Sequence, residues 1–250
     1  MEKTVLVSGA GSGIGRAIAI TLANSGCGTV LLGRNRQTLE ETQSLLKSSA
    51  QHAIIVADIK DAQSIKAGLQ NINPTLTGVV ANAGVGGENQ YGEGDRWQEI
   101  VETNLTGTYQ LVMESLPYFA PDANEYRHIV IISSILARLG VPGYSAYCAS
   151  KAGLLGLMRS WAVEFAAQKI LVNAICPGWV STQMATQGLE TFAQNTGKSY
   201  DDIYQAQMEQ VLLRKMSTPE EVAHLVEYLI SQSSVTGQTL DINNGALMPS

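Results

Sequence analysis

Residues 5–15 read VLVSGAGSGIG, a short apolar run that leads directly into a glycine-rich turn. An apolar run closed by a turn predicts a buried strand, and the apolar spacing over residues 14–23 predicts a helix behind it. Gly9, Gly13 and Gly15 would allow a tight turn and the close approach of a pyrophosphate to the helix N-terminus. A glycine-rich turn is a weak signal by itself, because ordinary strand-to-helix turns also contain glycine.

Strand and helix signals alternate along the rest of the chain. Further strands are predicted at residues 29–32, 53–57, 77–81, 128–132, 171–175 and 239–242, and further helices at 37–46, 62–69, 95–118, 144–167 and from 218 onward. The last helix begins with Thr218, Pro219 and Glu221, which together form a capping-box pattern. This alternation predicts an α/β fold, a doubly wound parallel sheet of the Rossmann type with helices on both faces.

Composition is consistent with one folded unit. The 250 residues are 45% hydrophobic and 15% charged, which is enough apolar material for a sizeable core. No linker, repeat or low-complexity tract divides residues 1–250, so we predict a single domain. Residues 181–215 break the alternation and mix apolar with polar residues. They predict either a substrate lid or extra packed helices without a moving part.

Charge and cysteine content limit the partners, the metal sites and the cellular compartment that we expect for this chain. The net charge of −6 disfavours a nucleic-acid partner, and no apolar run reaches the ~18 residues of a membrane span. Cys27, Cys148 and Cys176 lack metal-ligand spacing and predict small buried hydrophobes. Their odd number, and a strand that follows closely on Met1, favour a cytoplasmic protein without a targeting segment. The three histidines are scattered, so no metal site is predicted.

Tyr147 and Lys151 stand four residues apart in the predicted helix 144–167, so they share one helical face. A neighbouring ammonium favours the phenolate and would lower the pKa of Tyr147 from its ordinary value of about 10. Such a phenol can protonate the alkoxide formed in ketone reduction, or deprotonate an alcohol in the reverse direction. The spacing also arises by chance in many helices, where it marks only an exposed pair.

The turn after the second predicted strand, residues 33–36, reads Gly-Arg-Asn-Arg and contains no acidic residue. NAD-binding folds place a carboxylate about 20 residues past the glycines, where it binds the ribose hydroxyls. An arginine there suits a 2′-phosphate, because its guanidinium forms charge-assisted hydrogen bonds with phosphate oxygens. We therefore predict NADP(H), with Arg34 as the first candidate and Arg36 as the second. NAD(H), with both arginines as solvated surface residues, is the alternative.

Several motifs in a fixed order resemble the short-chain dehydrogenase/reductase family across essentially the whole chain. Ser8-Gly9-x-x-x-Gly13-x-Gly15 is similar to the family's Thr-Gly-x-x-x-Gly-x-Gly, and residues 82–84 match its Asn-Ala-Gly after the fourth strand. The remaining matches are Asn104 at the helical asparagine, Ser134 at the catalytic serine 13 residues before Tyr147, and Pro177-Gly178 at the turn after the sixth strand.

The resemblance implies the catalytic roles. Tyr147 would be the acid/base, and Lys151 would lower its pKa and bind the nicotinamide ribose. Ser134 would hydrogen-bond the substrate oxygen, while its neighbour Ser133 is expected to pack in the strand. Asn104 would hold a water of the proton relay through its backbone, or else serve helix packing alone.

The resemblance also implies the cofactor contacts. Asp58 would meet the adenine, Asn82 the neighbouring ribose, and Val180 with Thr182 the carboxamide. The complete predicted set is Ser8, Gly9, Gly13, Ile14, Gly15, Arg34, Asp58, Asn82, Gly84, Tyr147, Lys151, Pro177, Gly178, Val180 and Thr182.

Three departures from the family pattern stand out. Ser8 replaces a threonine and keeps its hydroxyl, so little change is expected. Ser12 occupies a position where many NADP-dependent members carry a basic residue, which leaves the NADP prediction mainly on Arg34. Residues 243–245 read Asn-Asn-Gly instead of Asp-Gly-Gly, which would alter either a subunit contact or the pocket rim.

The predicted substrate wall is mostly apolar. It comprises Ile135, Leu136, Ala137, Val141, Tyr144, Trp179 and the lid. The lid and the turn at residues 177–180 resemble those of 3-oxoacyl-thioester and polyketide ketoreductases. Arg138 is interpreted as a surface residue and not a substrate anchor. An acyl carrier protein would need a basic docking patch, which Arg127, Arg159 and Lys169 would form if the fold brought them together.

The leading hypothesis is an NADPH-dependent carbonyl reductase acting on a 3-oxoacyl thioester or a related ketone. One alternative is an NAD(P)-dependent dehydrogenase of a secondary alcohol or cyclic diol. Another is a non-catalytic dinucleotide-binding sensor, against which the intact catalytic set argues. Family members are commonly homotetramers, here through the helices at 95–118 and 144–167.

Overall fold

The computed structural model describes residues 3–47, 50–121 and 125–248. Within them, the strands are β1 (Thr4–Ser8), β2 (Gly28–Gly33), β3 (His52–Val56), β4 (Gly78–Ala81), β5 (Arg127–Ile132), β6 (Ile170–Pro177) and β7 (Thr239–Ile242). All pair in parallel in the order β3-β2-β1-β4-β5-β6-β7. The predicted doubly wound parallel sheet is confirmed.

Helices cover both faces of this sheet. They are α1 (Gly13–Asn24), α2 (Arg36–Ser44), α3 (Ala62–Ile72), α4 (Trp97–Val101), α5 (Gly107–Ser115), α6 (Ser145–Glu164), α7 (Gln183–Thr196), α8 (Tyr200–Glu209) and α9 (Pro219–Ser231). The capping box predicted at Thr218 and Glu221 is confirmed at the start of α9. Three features fix where this helix begins: the capping box, the proline in the first turn and the acidic residues of that turn.

Successive strand residues point to opposite faces, and the two cores follow from that alternation. Leu6 packs with the side chains of α3, α5 and α6, whereas Val5 and Val7 pack with those of α1 and α9. The central strands are buried on both sides, as is usual for parallel sheets. Each fully buried aliphatic side chain contributes about 1.5–3 kcal/mol relative to exposure, so the two cores hold the strand ends rigidly.

The helix predicted at residues 95–118 is confirmed as a helical run from Trp97 to Tyr118, but it is not α-helical throughout. A π-helical turn, Glu102–Thr106, separates α4 from α5, and a 3₁₀ turn, Leu116–Tyr118, follows. The π turn contains Asn104, whose side chain binds the backbone of Val85 in a neighbouring loop. A π turn places one extra residue in the helix, which is common where a side chain serves a site.

Residues 181–215 fold into α7 and α8 rather than into an irregular loop. Leu189 and Ala193 of α7 pack on Ile203 of α8, and Trp179 and Phe192 cover this small cluster. The helix predicted at residues 144–167 likewise ends earlier, at Glu164, and a 3₁₀ turn follows it.

The cysteine prediction is confirmed for two positions. Cys27 and Cys176 are buried, but Cys148 is partly exposed and its thiol donates to the carbonyl of Leu139 at 3.4 Å. All three thiols are free. Among the described residues, no helix is both long enough and apolar enough to cross a bilayer.

His128 in β5 predicts a specific acid sensitivity. Burial, together with a smaller effect of the Lys3 charge, lowers its pKa from 6.5 to about 4. Between pH 6.5 and 4 the unfolded chain therefore binds a proton that the folded chain does not, so this group costs up to about 1.4 kcal/mol per pH unit as the pH falls. Above pH 6.5 it has no effect. We expect His128→Leu to flatten the fall in free energy of unfolding between pH 7 and pH 5 in urea titrations.

The exposed His224, changed to Leu in the same way, is the control and should leave the pH dependence as it is. An unchanged slope in the His128 variant would contradict the assignment.

Candidate active site

The glycine turn after β1 has no room for larger side chains. Gly9 and Gly13 have φ values of +65° and +50°, a region that L side chains rarely adopt. A Cβ on Gly15 would lie 2.2 Å from the Gly9 carbonyl oxygen, and one on Gly9 would lie 2.9 Å from Asn82 Nδ2. The turn therefore brings its backbone to the start of α1 as a pyrophosphate seat requires. Ile14 turns its side chain into the core, which leaves only its backbone for a ligand.

Two residues that the sequence analysis missed hold this turn from outside. The guanidinium of Arg16 donates to the Gly11 carbonyl, and the Thr42 hydroxyl donates to the Ala10 carbonyl at 2.9 Å. In a trans peptide the N–H points opposite to the C=O. The amides that follow these carbonyls, those of Gly11 and Ser12, are therefore turned to the other side of the turn.

Ser8 and Asn82 join the ends of β1 and β4. The buried Ser8 hydroxyl accepts from the amides of Asn82 and Ala83, each at 3.0 Å. Asn82 Nδ2 donates to the Ser8 carbonyl at 3.0 Å. The hydroxyl of Ser8 thus lies beneath the turn and aligns the two strand ends.

The end of β2 separates the two candidate arginines. Arg34 is exposed, whereas Arg36 forms an ion pair with Glu40 at 3.6 Å within α2. Asn35 stands between them and caps α2 through its side chain. The pKa of Glu99 is lowered mainly by its hydrogen bond with Arg96 and further by the charges of Lys60 and Arg34.

The charges of Lys60 and Arg34 therefore both act on the Glu99 carboxylate. Asp58 follows β3, and its carboxylate accepts from the Lys60 amide at 3.0 Å. These residues combine a carboxylate suited to an adenine amine with arginine and lysine charges suited to a phosphate.

Ser133 and Ser134 follow β5, and their hydroxyls bind different partners. The Ser134 hydroxyl accepts from the Leu136 amide at 3.2 Å, and its effect on Tyr147 is to lower the pKa of the phenol. The Ser133 hydroxyl donates to the Lys151 carbonyl at 2.9 Å. Ser133, expected only to pack in the strand, therefore also ties α6 to the sheet.

Tyr147 and Lys151 lie together within the protein. Lys151 is 5% exposed, its Nζ donates to the Ile132 carbonyl at 3.0 Å and lies 5.6 Å from the centroid of the Tyr147 ring. Burial raises the pKa of Tyr147 to about 12, although the hydrogen bond with Ser134 opposes this. Burial lowers the pKa of Lys151 to about 8.

The predicted lowering of the Tyr147 pKa is therefore wrong for the protein alone. Loss of water around the phenolate outweighs the favourable groups nearby, and the same loss disfavours the Lys151 ammonium. A phenol with a raised pKa stays protonated at neutral pH, which suits a proton donor.

Asn104 connects the π turn to α6. Its Oδ1 accepts from the Val85 amide at 2.8 Å, and its Nδ2 donates to the Val85 carbonyl at 3.0 Å and to Ser150 Oγ at 3.2 Å. Ser150 in turn donates to the Tyr147 carbonyl at 2.8 Å. The backbone carbonyl of Asn104 accepts from Thr108 Oγ1 at 2.8 Å. Ser150 and Thr108 carry no signal in the sequence that would have singled them out.

Gly84 lies between these groups, since a Cβ there would be 2.9 Å from Asn104 Oδ1 and 3.6 Å from Lys151 Nζ. Its lack of a side chain keeps Asn104 and Lys151 close to the loop after β4.

The end of β6 brings the remaining predicted contacts to the glycine turn. Pro177 is the last residue of the strand, and a Cβ on Gly178 would lie 2.9 Å from the Cα of Asn243. Val180 is buried, and Thr182 caps α7 by accepting from the Ala185 amide at 3.3 Å. A Cβ on Gly13 would lie 3.3 Å from Thr182 Cγ2, so α7 begins beside the glycine turn.

Aromatic side chains form the wall beside the catalytic pair. Tyr144 stacks on Phe192 of α7, with centroids 6.0 Å apart and an interplanar angle of 15°. Ile135 is buried below this wall, and Leu136 and Ala137 are partly buried. Arg138, interpreted from the sequence as a surface residue, forms an ion pair with Asp241 of β7 at 3.4 Å.

The Asn-Asn-Gly segment ties the end of residues 181–215 to the sheet. Asn244 Nδ2 donates to the Lys215 carbonyl at 3.1 Å and to Ser217 Oγ at 3.0 Å. Asn243 Oδ1 accepts from the Gly245 amide at 3.0 Å. The Asn-Asn-Gly segment, which departs from the family pattern, therefore binds the residues that follow α8.

Arg127 does not contribute to the conditional basic docking patch. Arg127 is buried and donates to the carbonyls of Ala120 and Gln168, whereas Arg159 is exposed on α6. A buried guanidinium that binds backbone carbonyls stabilises the fold and presents no charge to a partner.

The matching family model and two relatives of similar length are all described as reductases. The family model described as enoyl-(acyl carrier protein) reductase matches residues 9–246. The chain is 32% identical to the 3-oxoacyl-(acyl-carrier-protein) reductase FabG of Rickettsia felis, over 98% of this chain and 97% of that protein. The FabG of Staphylococcus aureus is 28% identical, over 99% of each.

Two solved structures share the fold over nearly the full length. Carveol dehydrogenase from Mycobacterium avium, in complex with NAD, has a TM-score of 0.90 at 27% identity and covers 99% of this chain and 98% of its own. A variant of actinorhodin polyketide ketoreductase with NADPH has a TM-score of 0.85 at 30% identity, with coverages of 98% and 97%. The two structures differ in the cofactor that they hold.

Gly15→Ala should separate cofactor binding from folding. The added methyl would collide with the Gly9 carbonyl and with Asn82, so the turn must open and the seat is lost. We expect the affinity for a nicotinamide dinucleotide, measured by fluorescence titration, to fall at least about tenfold, or 1.4 kcal/mol. Gly156→Ala in α6 meets nothing within 4 Å and is the control. Wild-type affinity in Gly15→Ala would contradict the position of the seat.

Proposed function

Since the chain belongs to the short-chain dehydrogenase/reductase family of oxidoreductases, we propose that it is an NADPH-dependent carbonyl reductase. The substrate class proposed is a 3-oxoacyl thioester or a related ketone. The observation that carries the proposal is the group of Ser134, Tyr147 and Lys151, in which Ser134 and Lys151 are buried and Tyr147 is partly exposed. FabG relatives of nearly equal length support the direction and the substrate class.

The cofactor, when bound, supplies the hydride, and the residues of this chain handle the proton. The Ser134 hydroxyl and the Tyr147 phenol both face the position of the substrate oxygen. As negative charge grows on that oxygen, Tyr147 Oη transfers its proton there, and Ser134 donates a hydrogen bond. The phenolate left behind is stabilised by Ser134 and by the Lys151 ammonium. Tyr147, whose pKa is raised, is protonated at neutral pH and is the proposed proton donor in reduction.

We propose that Lys151 and Asn104 take part in restoring the proton. Lys151 Nζ lies 5.6 Å from the centroid of the Tyr147 ring, and Gly84 lies between Asn104 and Lys151. The Asn104 carbonyl, which accepts from Thr108 Oγ1, is the group that we propose to hold the relay water.

We assign α7 and α8 the role of a lid over a single domain. Besides the Tyr144–Phe192 stack, Asn195 Nδ2 of α7 donates to Glu88 Oε2 at 3.3 Å. These contacts bridge the lid to α6 and to the loop before α4, on either side of the pocket mouth. Closure of this kind would exclude water from the developing alkoxide.

The substrate is proposed to arrive as a free small molecule or a small acyl thioester. The net charge of −6 and the burial of Arg127 remove the main elements of a basic surface for an acidic carrier protein. We further propose a homotetramer through the outer faces of α4–α5 and α6, where Tyr109 and Val163 are exposed. Light scattering would show four times the chain mass of 26.7 kDa.

A secondary-alcohol dehydrogenase is the second candidate, and the NAD-bound carveol dehydrogenase favours it. Cofactor preference separates the two, because NADH would leave Arg34 without a phosphate to bind. A non-catalytic sensor would bind the dinucleotide and turn nothing over.

The central test measures NADPH and NADH consumption with a panel of 3-oxoacyl thioesters and cyclic ketones. We expect NADPH-dependent turnover that Tyr147→Phe reduces by at least about 100-fold, the size of a lost general acid. The variant keeps the ring and should bind NADPH within about twofold of wild type. Turnover that survives in Tyr147→Phe would contradict the assigned acid, and an NADH preference would favour the dehydrogenase.

Arg34→Ala tests the cofactor phosphate contact. Loss of a charge-assisted hydrogen bond costs about 1.5–3 kcal/mol, so the Kd for NADPH should rise about 10- to 100-fold. The Kd for NADH should stay unchanged. Arg36→Ala removes an arginine two positions away that pairs with Glu40, and it should change neither value by more than about twofold. The reverse ranking of the two arginines would show that Arg36 binds the phosphate.

A further inference from the structure

The helix that carries the catalytic pair is capped by another loop. Within the described residues, Tyr144 at the N-cap of α6 makes no side-chain cap hydrogen bond, because its ring stacks on Phe192. The first N–H groups of a helix need acceptors from elsewhere. Asn89, in the loop between β4 and α4, supplies one: its Oδ1 accepts from the Ala146 amide at 2.8 Å and from Ser145 Oγ at 3.2 Å.

Asn89 is buried, and both its backbone and its side chain form hydrogen bonds. It is 8% exposed, and its backbone amide donates to the Gly143 carbonyl at 2.8 Å. Its Nδ2 donates to Asp95 Oδ1 at 3.3 Å, and the same oxygen accepts from the Trp97 amide at 3.0 Å. Asp95 thus binds the first amide of α4 while Asn89 caps α6, and one hydrogen bond couples the two residues.

This coupling joins the starts of the two helices that carry the catalytic residues. Ala146 immediately precedes Tyr147, and α4 runs directly into the π turn that contains Asn104. A shift of the first turn of α6 would move the phenol relative to Ser134, which follows β5. An error of about 1 Å in such a geometry can cost about 100-fold in rate.

We propose that Asn89 is a positioning residue, which sets the Tyr147 phenol by capping α6 from the loop before α4. The inference rests on the proposed reductase function for its kinetic consequence, although the cap itself does not. Asn89 lies in the polar, glycine-rich stretch at residues 84–94, where neither periodicity nor motif distinguishes it. Ala146 lies 57 positions farther along the chain than Asn89, so only the fold shows this contact.

The test uses three variants of the full chain. Asn89→Ala removes the cap acceptor and the donor to Asp95. Asn89→Asp keeps the acceptor but places two carboxylates side by side. The double variant Asn89→Asp with Asp95→Asn restores the bond with donor and acceptor exchanged. Asn71→Ala, at an exposed position of α3, is the matched control.

Three measurements are made on each variant: kcat and KM with the best ketone of the panel, the Kd for NADPH, and amide hydrogen exchange over residues 145–150. For Asn89→Ala we expect kcat to fall about tenfold, because the phenol is no longer held in its position, with the Kd for NADPH within twofold. Exchange over residues 145–150 should be faster. The exchanged double variant should recover most of both losses, and the control should match wild type.

Wild-type kcat and exchange in Asn89→Ala would overturn the proposal. So would a loss of kcat that comes with an equal loss of NADPH affinity and without recovery in the double variant, because that pattern marks general unfolding. If the wild type turns over no ketone, the proposed function fails. The capping role of Asn89 is then still tested by amide hydrogen exchange over residues 145–150. Faster exchange that the double variant reverses would then support it, and unchanged exchange would overturn it.

Discussion

The catalytic arrangement depends on how α6 is fixed to its surroundings over its first two turns. Ser133 binds the Lys151 carbonyl from the sheet, and Asn104 binds Ser150 from the π turn. Both anchors act within one turn of the phenol of Tyr147. Lys151 is buried, and loss of water raises the pKa of the Tyr147 phenol and lowers that of the Lys151 ammonium, so the acid–base behaviour of the pair follows from this fixed position.

The parallel sheet explains why these groups meet. The carboxyl ends of β1, β4, β5 and β6 share one edge, and each ends in a segment that serves the site. The glycine turn follows β1, the Asn82 loop follows β4, the serine pair follows β5, and the Gly178 turn follows β6. Buried apolar strands make that edge rigid, and the helices α4–α5 and α6 bring acid–base residues to it from one face of the sheet.

Much of this was predictable because short-range patterns carry it. Alternating apolar runs gave the sheet and its helices, and the spacing of Tyr147 and Lys151 placed both on one helical face. The π turn at Asn104 was not predictable, because it depends on a bond to Val85 from another part of the chain. Burial that raises the pKa of Tyr147, the buried Arg127 and the external anchors Arg16 and Thr42 depend likewise on tertiary packing, which no local motif records.

The most direct measurement of the central claim follows the hydride itself. NADPH deuterated at C4 of the nicotinamide would be incubated with the protein and a 3-oxoacyl thioester, and the product analysed by mass spectrometry. The account predicts one deuterium on the new carbinol carbon, delivered from one face of the nicotinamide and absent when Tyr147→Phe replaces wild type. A product without deuterium, or no product while NADPH binds tightly, would contradict the assignment of a carbonyl reductase.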